Sequence, residues 1–538
     1  MALAKPETLS AALHAVEAAL RGGDMPEAMR LSDEAVMAGA EHPTLLSLAG
    51  LRRMNVGQDD SALPLLRRAR ELAPRHVGVL DALGQCLTHL DRAREAVCVF
   101  DAALAVAPDA RLHVNRAMAL ESLSELDAAR AGFEQALMLQ PGHAEALARL
   151  ASLAVQRGDT KAARDLANRA LAANRHEPAA LVALASAALE EKDYAIAEAQ
   201  IIALMQVPNL SPVNQALAHG LAGDVLDAQD KPAAAFAAYT ASKDTLRALY
   251  APLMTGESVR DREARLARYF RAADPAQWRG EKKVAPLTHV FLVGFPRSGT
   301  TLLEQVLASH PHVAAMEERA CLVDSALEFF GSDAALDRLA ALTDSELEYW
   351  RAAYWRRVAE TEPKLARPVF IDKMPLNLVF LPLIAKLFPA AKILLALRDP
   401  RDVVLSCFRR RFGMNAGMYE FTSLETSAAY YAAVMDLMDV YREKLALDVI
   451  ETRHENLIAD FDGETARLCE FLGLAFRDEM RGFAGRARAQ NIDTPSGAQV
   501  ARGLNSRGVA QWRRYDEQLA PILPVLAPFV ARFGYPEN

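Results

Sequence analysis

Apolar residues recur at helical spacing through the first half of the chain, and alanine marks a longer period. One series is Ala28, Ala62, Ala96, Ala129, Ala163 and Ala197, and a second is Ala35, Ala69, Ala103, Ala136 and Ala170, with successive members 33 or 34 residues apart. Prolines keep nearly the same step at Pro74, Pro108 and Pro141. Between these markers lie helical patterns such as the one around Leu147 to Val155. A period of about 34 residues with small side chains at fixed places predicts two helices per repeat. The small residues let paired helices approach closely, and the proline closes the second helix. Stacked units of this kind form a quasi-one-dimensional array with a concave groove. From Lys243 to Pro286 the pattern loosens: the charged stretch ESVRDREARLARYF predicts a connecting helix, and DPAQWRGEKKVAP a linker.

The second half changes period. Val290 to Val293 is a continuous apolar run and predicts a buried strand, as do Val369 to Ile371 and Ile393 to Leu397. Helices are expected after each: one opening with LLEQVLASH, one from Asn377 to Phe388 closed by Pro389, and one from Asp402 onward. Strands alternating with helices imply a parallel sheet covered on both faces, with ligands at the carboxyl ends of the strands. Lys373 and Arg398 are expected just after two strands, and a glycine loop just after a third.

That loop, within VFLVGFPRSGTT, carries the most chemistry. Gly294 and Gly299 are spaced as in the nucleotide-binding loop G-x-x-x-x-G-K-[ST], but Thr300 stands where the lysine would be. Strand, glycine turn and helix N-terminus make an anion cradle of backbone N–H groups. The missing lysine is the group that reaches the terminal phosphates of ATP or GTP. The loop therefore points to a different phosphorylated donor.

Bulk properties narrow the field. At 538 residues two or three domains are expected. The net charge of −8 argues against nucleic-acid binding as the main role. Cys86, Cys98, Cys321, Cys407 and Cys469 have no metal-ligand spacing and an odd count, which suits a reducing compartment. The opening MALAKPETLS lacks the apolar core of a signal peptide, and no run is long enough to span a membrane. The expectation is a cytoplasmic protein.

The alanine series, the post-helix prolines and Gly84 resemble the tetratricopeptide-repeat family over roughly residues 10–245, with a looser match where Asn174 and Arg175 replace a proline. FPRSGTT resembles the 5′-phosphosulfate loop of sulfotransferases that use 3′-phosphoadenosine 5′-phosphosulfate (PAPS). LRDPRDVVLS, with Arg398 and Ser406, resembles that family's 3′-phosphate motif. The combination is similar to bacterial tetratricopeptide-repeat sulfotransferases, whose catalytic domain resembles the tyrosylprotein sulfotransferases. The resemblance implies a multidomain chain: an all-α repeat solenoid over 10–245, a connecting helix and linker over 246–285, and an α/β P-loop-like domain with a parallel sheet over 286–538. It implies that Arg297, Ser298, Gly299, Thr300 and Thr301 wrap the 5′-phosphosulfate, and that Arg398, Ser406 and Arg410 hold the 3′-phosphate. Ser496 would lie near the sulfate and Arg502 near the 3′-phosphate. His454 takes a place where relatives carry a tyrosine near the adenine. PAPS would be the co-substrate, with no metal required.

Sulfuryl transfer needs a base on the acceptor side and a cation on the leaving-group side. The resemblance makes Lys373 of IDKMP the cation and Glu317 or Glu318 of MEERA the base, with Glu317 the aligned residue. The acceptor is expected to be a tyrosine on a peptide or another hydroxyl-bearing large molecule. The repeat groove would dock a protein partner, or pair end to end in a homodimer. Two other readings stand beside this one: a nucleotide kinase or hydrolase with an altered loop, which needs a Mg2+ ligand set, and a repeat scaffold with a silent nucleotide-binding domain.

Overall fold

A computed structural model describes residues 6–281, 287–361, 367–489, 497–506 and 508–536. The chain divides into two compact units, Met1–Pro208 and Asn209–Asn538. The division falls earlier than the end of the repeat pattern, so the helices Pro212–Ala228 and Pro232–Tyr250 belong to the second unit.

The described part of the first unit is built of helices alone, from Pro6–Arg21 to Tyr194–Met205. The first alanine series is buried throughout, and Ala69, Ala103, Ala136 and Ala170 of the second series are buried with it. The packing rule is a small residue on the first helix of a repeat set against a larger one sixteen positions on. At Gly50 an added Cβ would lie 2.7 Å from Leu66, and at Gly84 it would lie 2.5 Å from the Phe100 ring. The turn inside each repeat holds one left-handed residue: Gly23, Gly57, Asp91, Ser124, Gly158 and Lys192. These keep the 33- or 34-residue step, although only three are the glycines that this conformation favours.

The described residues of the second unit form five parallel strands: β1 Thr288–Gly294, β2 Val313–Glu317, β3 Val369–Lys373, β4 Lys392–Leu397 and β5 Asp448–Arg453. Their order is β2-β3-β1-β4-β5, which puts the loop after β1 at the centre of the sheet's carboxyl edge. β1, β3 and β4 are almost wholly buried, as expected for strands covered on both faces. Lys373 is the last residue of β3, not the first beyond it. The expected 377–388 helix is instead a 3-10 turn, Pro375–Phe380, followed by the helix Leu381–Leu387. Pro382 sits in the first turn of that helix, where its missing N–H costs nothing. Among the described residues no helix is long and apolar enough to cross a membrane.

Gly84→Ala tests the repeat packing. Helix propensity would gain about 1 kcal/mol, but overpacking against Phe100 costs about 1–3 kcal/mol. The expected result is a lower urea midpoint of the variant's helical signal; an unchanged or higher midpoint would show that the ring yields freely.

Candidate active site

The loop after β1 turns by two close approaches. A Cβ on Gly294 would lie 2.6 Å from the Ala396 carbonyl of β4 and 2.7 Å from Ser298 Oγ. Gly299 (φ 101°) starts the helix Thr300–Ala308, and a Cβ there would meet His454 Nδ1 at 2.9 Å. Arg297 is also left-handed at φ 72°, a strained state for a side chain of its size. The loop thus curls around a helix N-terminus whose first N–H groups have no partners within the helix. Ser298 Oγ is buried there with no hydrogen-bond partner among the described residues.

Arginines gather around this loop. Arg297 is only 8% exposed; its Nε donates to Ser406 Oγ at 2.9 Å and its Nη2 to Gln499 Oε1 at 3.1 Å. Arg398, one residue past β4, donates from Nη1 to the Arg297 carbonyl at 3.1 Å and from Nη2 to the Gly508 carbonyl, while its Nε is buried with no partner among the described residues. Arg410 follows the helix Pro400–Arg409 that carries Ser406. Burial, together with the Arg410 and Arg398 charges, pulls Arg297 down to about 9. The nearby acids are engaged elsewhere: Asp399 pairs with Arg401 at 2.8 Å, and Asp402 accepts from the N–H groups of Ala510 (2.7 Å) and Trp512 (2.8 Å). Like charges held this way in a low dielectric favour an anion among them.

Lys373 lies at the neighbouring strand end with no exposed surface. Its Nζ is 2.8 Å from Glu318 Oε1, 3.3 Å from Glu304 Oε2 and 3.6 Å from Glu317 Oε1. Burial works against the ammonium, but the three carboxylates prevail and raise it. Glu317 faces Lys373 in the β2–β3 register. Glu318 follows at φ 37°, and its N–H donates to the Lys373 carbonyl at 2.8 Å. The side chains differ in access: Glu304 is 3% exposed, Glu317 25% and Glu318 37%. Burial, with Glu317 and Glu318 nearby, pushes Glu304 up to about 7 despite Lys373.

The structure therefore brings Arg297, Ser298, Gly299, Thr300, Thr301, Arg398, Ser406, Lys373, Glu317 and Glu318 to one edge of the sheet. Arg502 is exposed after the short helix Gly497–Ala501, its N–H bonded to the Gln499 carbonyl at 3.2 Å. Ser496 lies outside the described residues. His454 packs on Gly299, with Nδ1 buried and unbonded; burial, Arg398 and Arg297 bring it down to about 3, so its ring is neutral. Glu304, Gln499 and Gly508 were not singled out from sequence. For Glu304 the available signal was its place one turn after Thr300, on the same helical face.

A nucleotide-type loop at the centre of a parallel sheet, ringed by cations and set beside a lysine–carboxylate cluster, gives this α/β domain an edge suited to holding anions. Comparison with known proteins agrees. The sulfotransferase family model matches residues 289–478, and a tetratricopeptide-repeat model matches residues 110–143. The chain thus carries a segment similar to tetratricopeptide repeats, followed by one similar to the sulfotransferase family. It is 27% identical over 257 residues to an uncharacterised protein of Aquifex aeolicus (strain VF5), a stretch covering 46% of this chain and 33% of that one. It is 26% identical over 257 residues to protein-tyrosine sulfotransferase 1 of Danio rerio, covering 46% of this chain and 72% of the relative. It is 25% identical over 260 residues to protein-tyrosine sulfotransferase 2 of Gallus gallus, covering 46% and 69%.

The raised Glu304 carboxyl has a stability signature. A carboxyl held above its usual range keeps its proton in the folded state until about pH 7 but loses it near pH 4.5 when unfolded. Its ionisation across that window weakens the fold. Wild-type stability should therefore fall relative to Glu304→Gln as pH rises from about 5 to 8, read from urea midpoints; parallel pH curves would refute the assignment.

Proposed function

We propose that the C-terminal unit transfers a sulfuryl group from PAPS to an acceptor hydroxyl, with a tyrosine on a peptide as the acceptor class. The observation that carries this reading is the meeting of a lysine-free phosphate loop with Arg297, Arg398 and Arg410 beside buried Lys373. The unbonded Ser298 Oγ and Arg398 Nε supply two further donors for oxyanions, and Arg297 a planar fork. Residues 297–301 hold the 5′-phosphosulfate in this reading. Arg398, Ser406 and Arg410 hold the 3′-phosphate, and Arg502 and Ser496 complete the two ends. The names of the vertebrate relatives support the tyrosine acceptor, and the repeat unit supports a protein as its bearer. Five free cysteines, four of them buried, support a reducing, cytoplasmic setting.

In the transfer, the sulfur–oxygen bond to the 5′-phosphate breaks as a new bond forms to the acceptor oxygen. The acceptor proton passes to a carboxylate at the end of β2. The sequence favoured Glu317; the geometry favours Glu318, which is the more open of the two and is held directly by Lys373. Lys373 neutralises the charge that grows on the leaving phosphate oxygen. Glu317 and Glu304 keep that ammonium protonated and aimed.

The direct test is label transfer from sulfur-labelled PAPS to a tyrosine peptide. 3′-Phosphoadenosine 5′-phosphate at roughly 100 times its dissociation constant should stabilise the fold by about 2.7 kcal/mol without Mg2+, and ATP far less. A shift seen only with ATP and Mg2+ would move the assignment to a kinase or hydrolase. Lys373→Ala and Glu318→Gln should each cut kcat by about 10²–10⁴-fold while donor affinity changes little. Full turnover in Glu318→Gln and its loss in Glu317→Gln would return the base to Glu317.

A further inference from the structure

The helical hairpin of residues 212–250 keeps the repeat architecture yet is part of the unit that holds the site. Its internal packing follows the repeat rule: a Cβ on Gly223 would lie 2.5 Å from Tyr239, sixteen residues on, and its turn holds the left-handed Asp230. What differs is the business of its polar face. Asp227 Oδ1 accepts from Tyr515 Oη at 2.6 Å and from Arg514 Nη1 at 2.8 Å, and its Oδ2 pairs with Arg409. The Asp227 carbonyl takes a further bond from Arg514 Nη2 at 2.9 Å. The Arg409 guanidinium lies over the rings of Tyr239 and Tyr515, 5.2 Å from each centroid. Burial alone would raise Asp227, yet Arg409, Tyr515 and Arg514 hold it below its usual range.

These contacts grip two segments that frame the arginine cluster. Arg409 ends the helix that carries Ser406, the partner of Arg297. The next residue, Arg410, is held through its carbonyl by Lys243 Nζ at 2.6 Å, and its guanidinium is 3.9 Å from Asp224. Arg514 and Tyr515 end the stretch whose Gly508 carbonyl receives Arg398, and whose Ala510 and Trp512 are tied to Asp402. One carboxylate thus fixes the end of the Ser406 helix and the tail that Arg398 grips, without itself reaching the loop.

We propose that the 212–250 hairpin is part of the frame of the donor site, and that Asp227 is a positioning residue that sets donor affinity by holding the Ser406 helix and the 508–515 segment in register. This rests on the reading of the arginine cluster as the PAPS seat. Substitution should loosen Arg297, Arg398 and Arg410 as a set. The lysine–carboxylate cluster that handles the acceptor proton should be left in place.

The full-length chain carrying Asp227→Asn tests this by calorimetric titration with 3′-phosphoadenosine 5′-phosphate and by steady-state kinetics. The expected result is a rise of about tenfold in both the dissociation constant and the KM for PAPS, the scale of one lost charged hydrogen bond. kcat and the acceptor KM should stay within about twofold, and Asp227→Glu should restore part of the affinity. Asp230→Asn is the control: it removes the charge of an exposed partner of the same Arg514, tolerates the left-handed turn, and should bind the donor as wild type does. If Asp227→Asn does not fold, Tyr515→Phe removes a single bond to Asp227 and should raise the same two constants by a smaller factor. Lower thermal stability with unchanged donor affinity would make Asp227 merely structural and overturn the proposal, as would a rise in acceptor KM alone. A wild-type protein that binds no such nucleotide would sink the donor reading and this one with it; wild-type binding with unaltered variants would sink this one alone.

Discussion

Arginine side chains crowded out of water oppose one another, and the fold must hold them there by force. Arg297 is pulled well below the ordinary guanidinium range by burial and by its two neighbours. The confinement is held by hydrogen bonds to the surrounding structure, a carbonyl from each of two segments, a serine and a glutamine, which must also offset the strained loop backbone. Such a site is poised for a ligand rather than for stability, because an anion removes the repulsion that the protein maintains.

The neighbouring cluster has the opposite sign. Three glutamates surround one lysine, so the charge of Lys373 is secured at the cost of crowding carboxylates. Glu304 bears most of that cost, being almost wholly buried and raised toward neutrality. Behind the same strand, Asp372 points the other way, accepts from Tyr354 Oη at 2.8 Å, and is pushed up to about 7 by burial. Adjacent residues of one strand thus serve opposite faces of the sheet, as the pleat requires.

Features that depend on local pattern were legible in the sequence. The alanine step gave the paired helices, and strand, glycine turn and helix gave the loop; Arg398 after β4 followed from the parallel topology, whereas Glu317 and Glu318 came from the family resemblance and the strand β2 that carries Glu317 was not anticipated. Features that depend on distant partners were not. Glu304 looks like an ordinary polar position on an amphipathic helix until β3 is placed beside it. Gln499 and Gly508 lie in a stretch with few helix signals, and their roles come from arginines some 110 to 202 residues away in the chain. The left-handed repeat turns escaped notice because Asp, Ser and Lys fill half of them. The end of the solenoid was misleading for a related reason: the small-against-large packing persists in the helices Pro212–Ala228 and Pro232–Tyr250, and only tertiary contacts show that this hairpin belongs to the second unit.

That hairpin constrains how such a chain could be rebuilt. Solenoids ordinarily lengthen, shorten and recombine by whole repeats, since each unit answers only to its neighbours. Here the final repeat-like pair is no longer interchangeable, because its acidic face is committed to arginines of the sheet-bearing unit. A graft of a foreign array would have to join upstream of Pro212, and a splice made after the last helical hairpin would take a piece of the second unit with it.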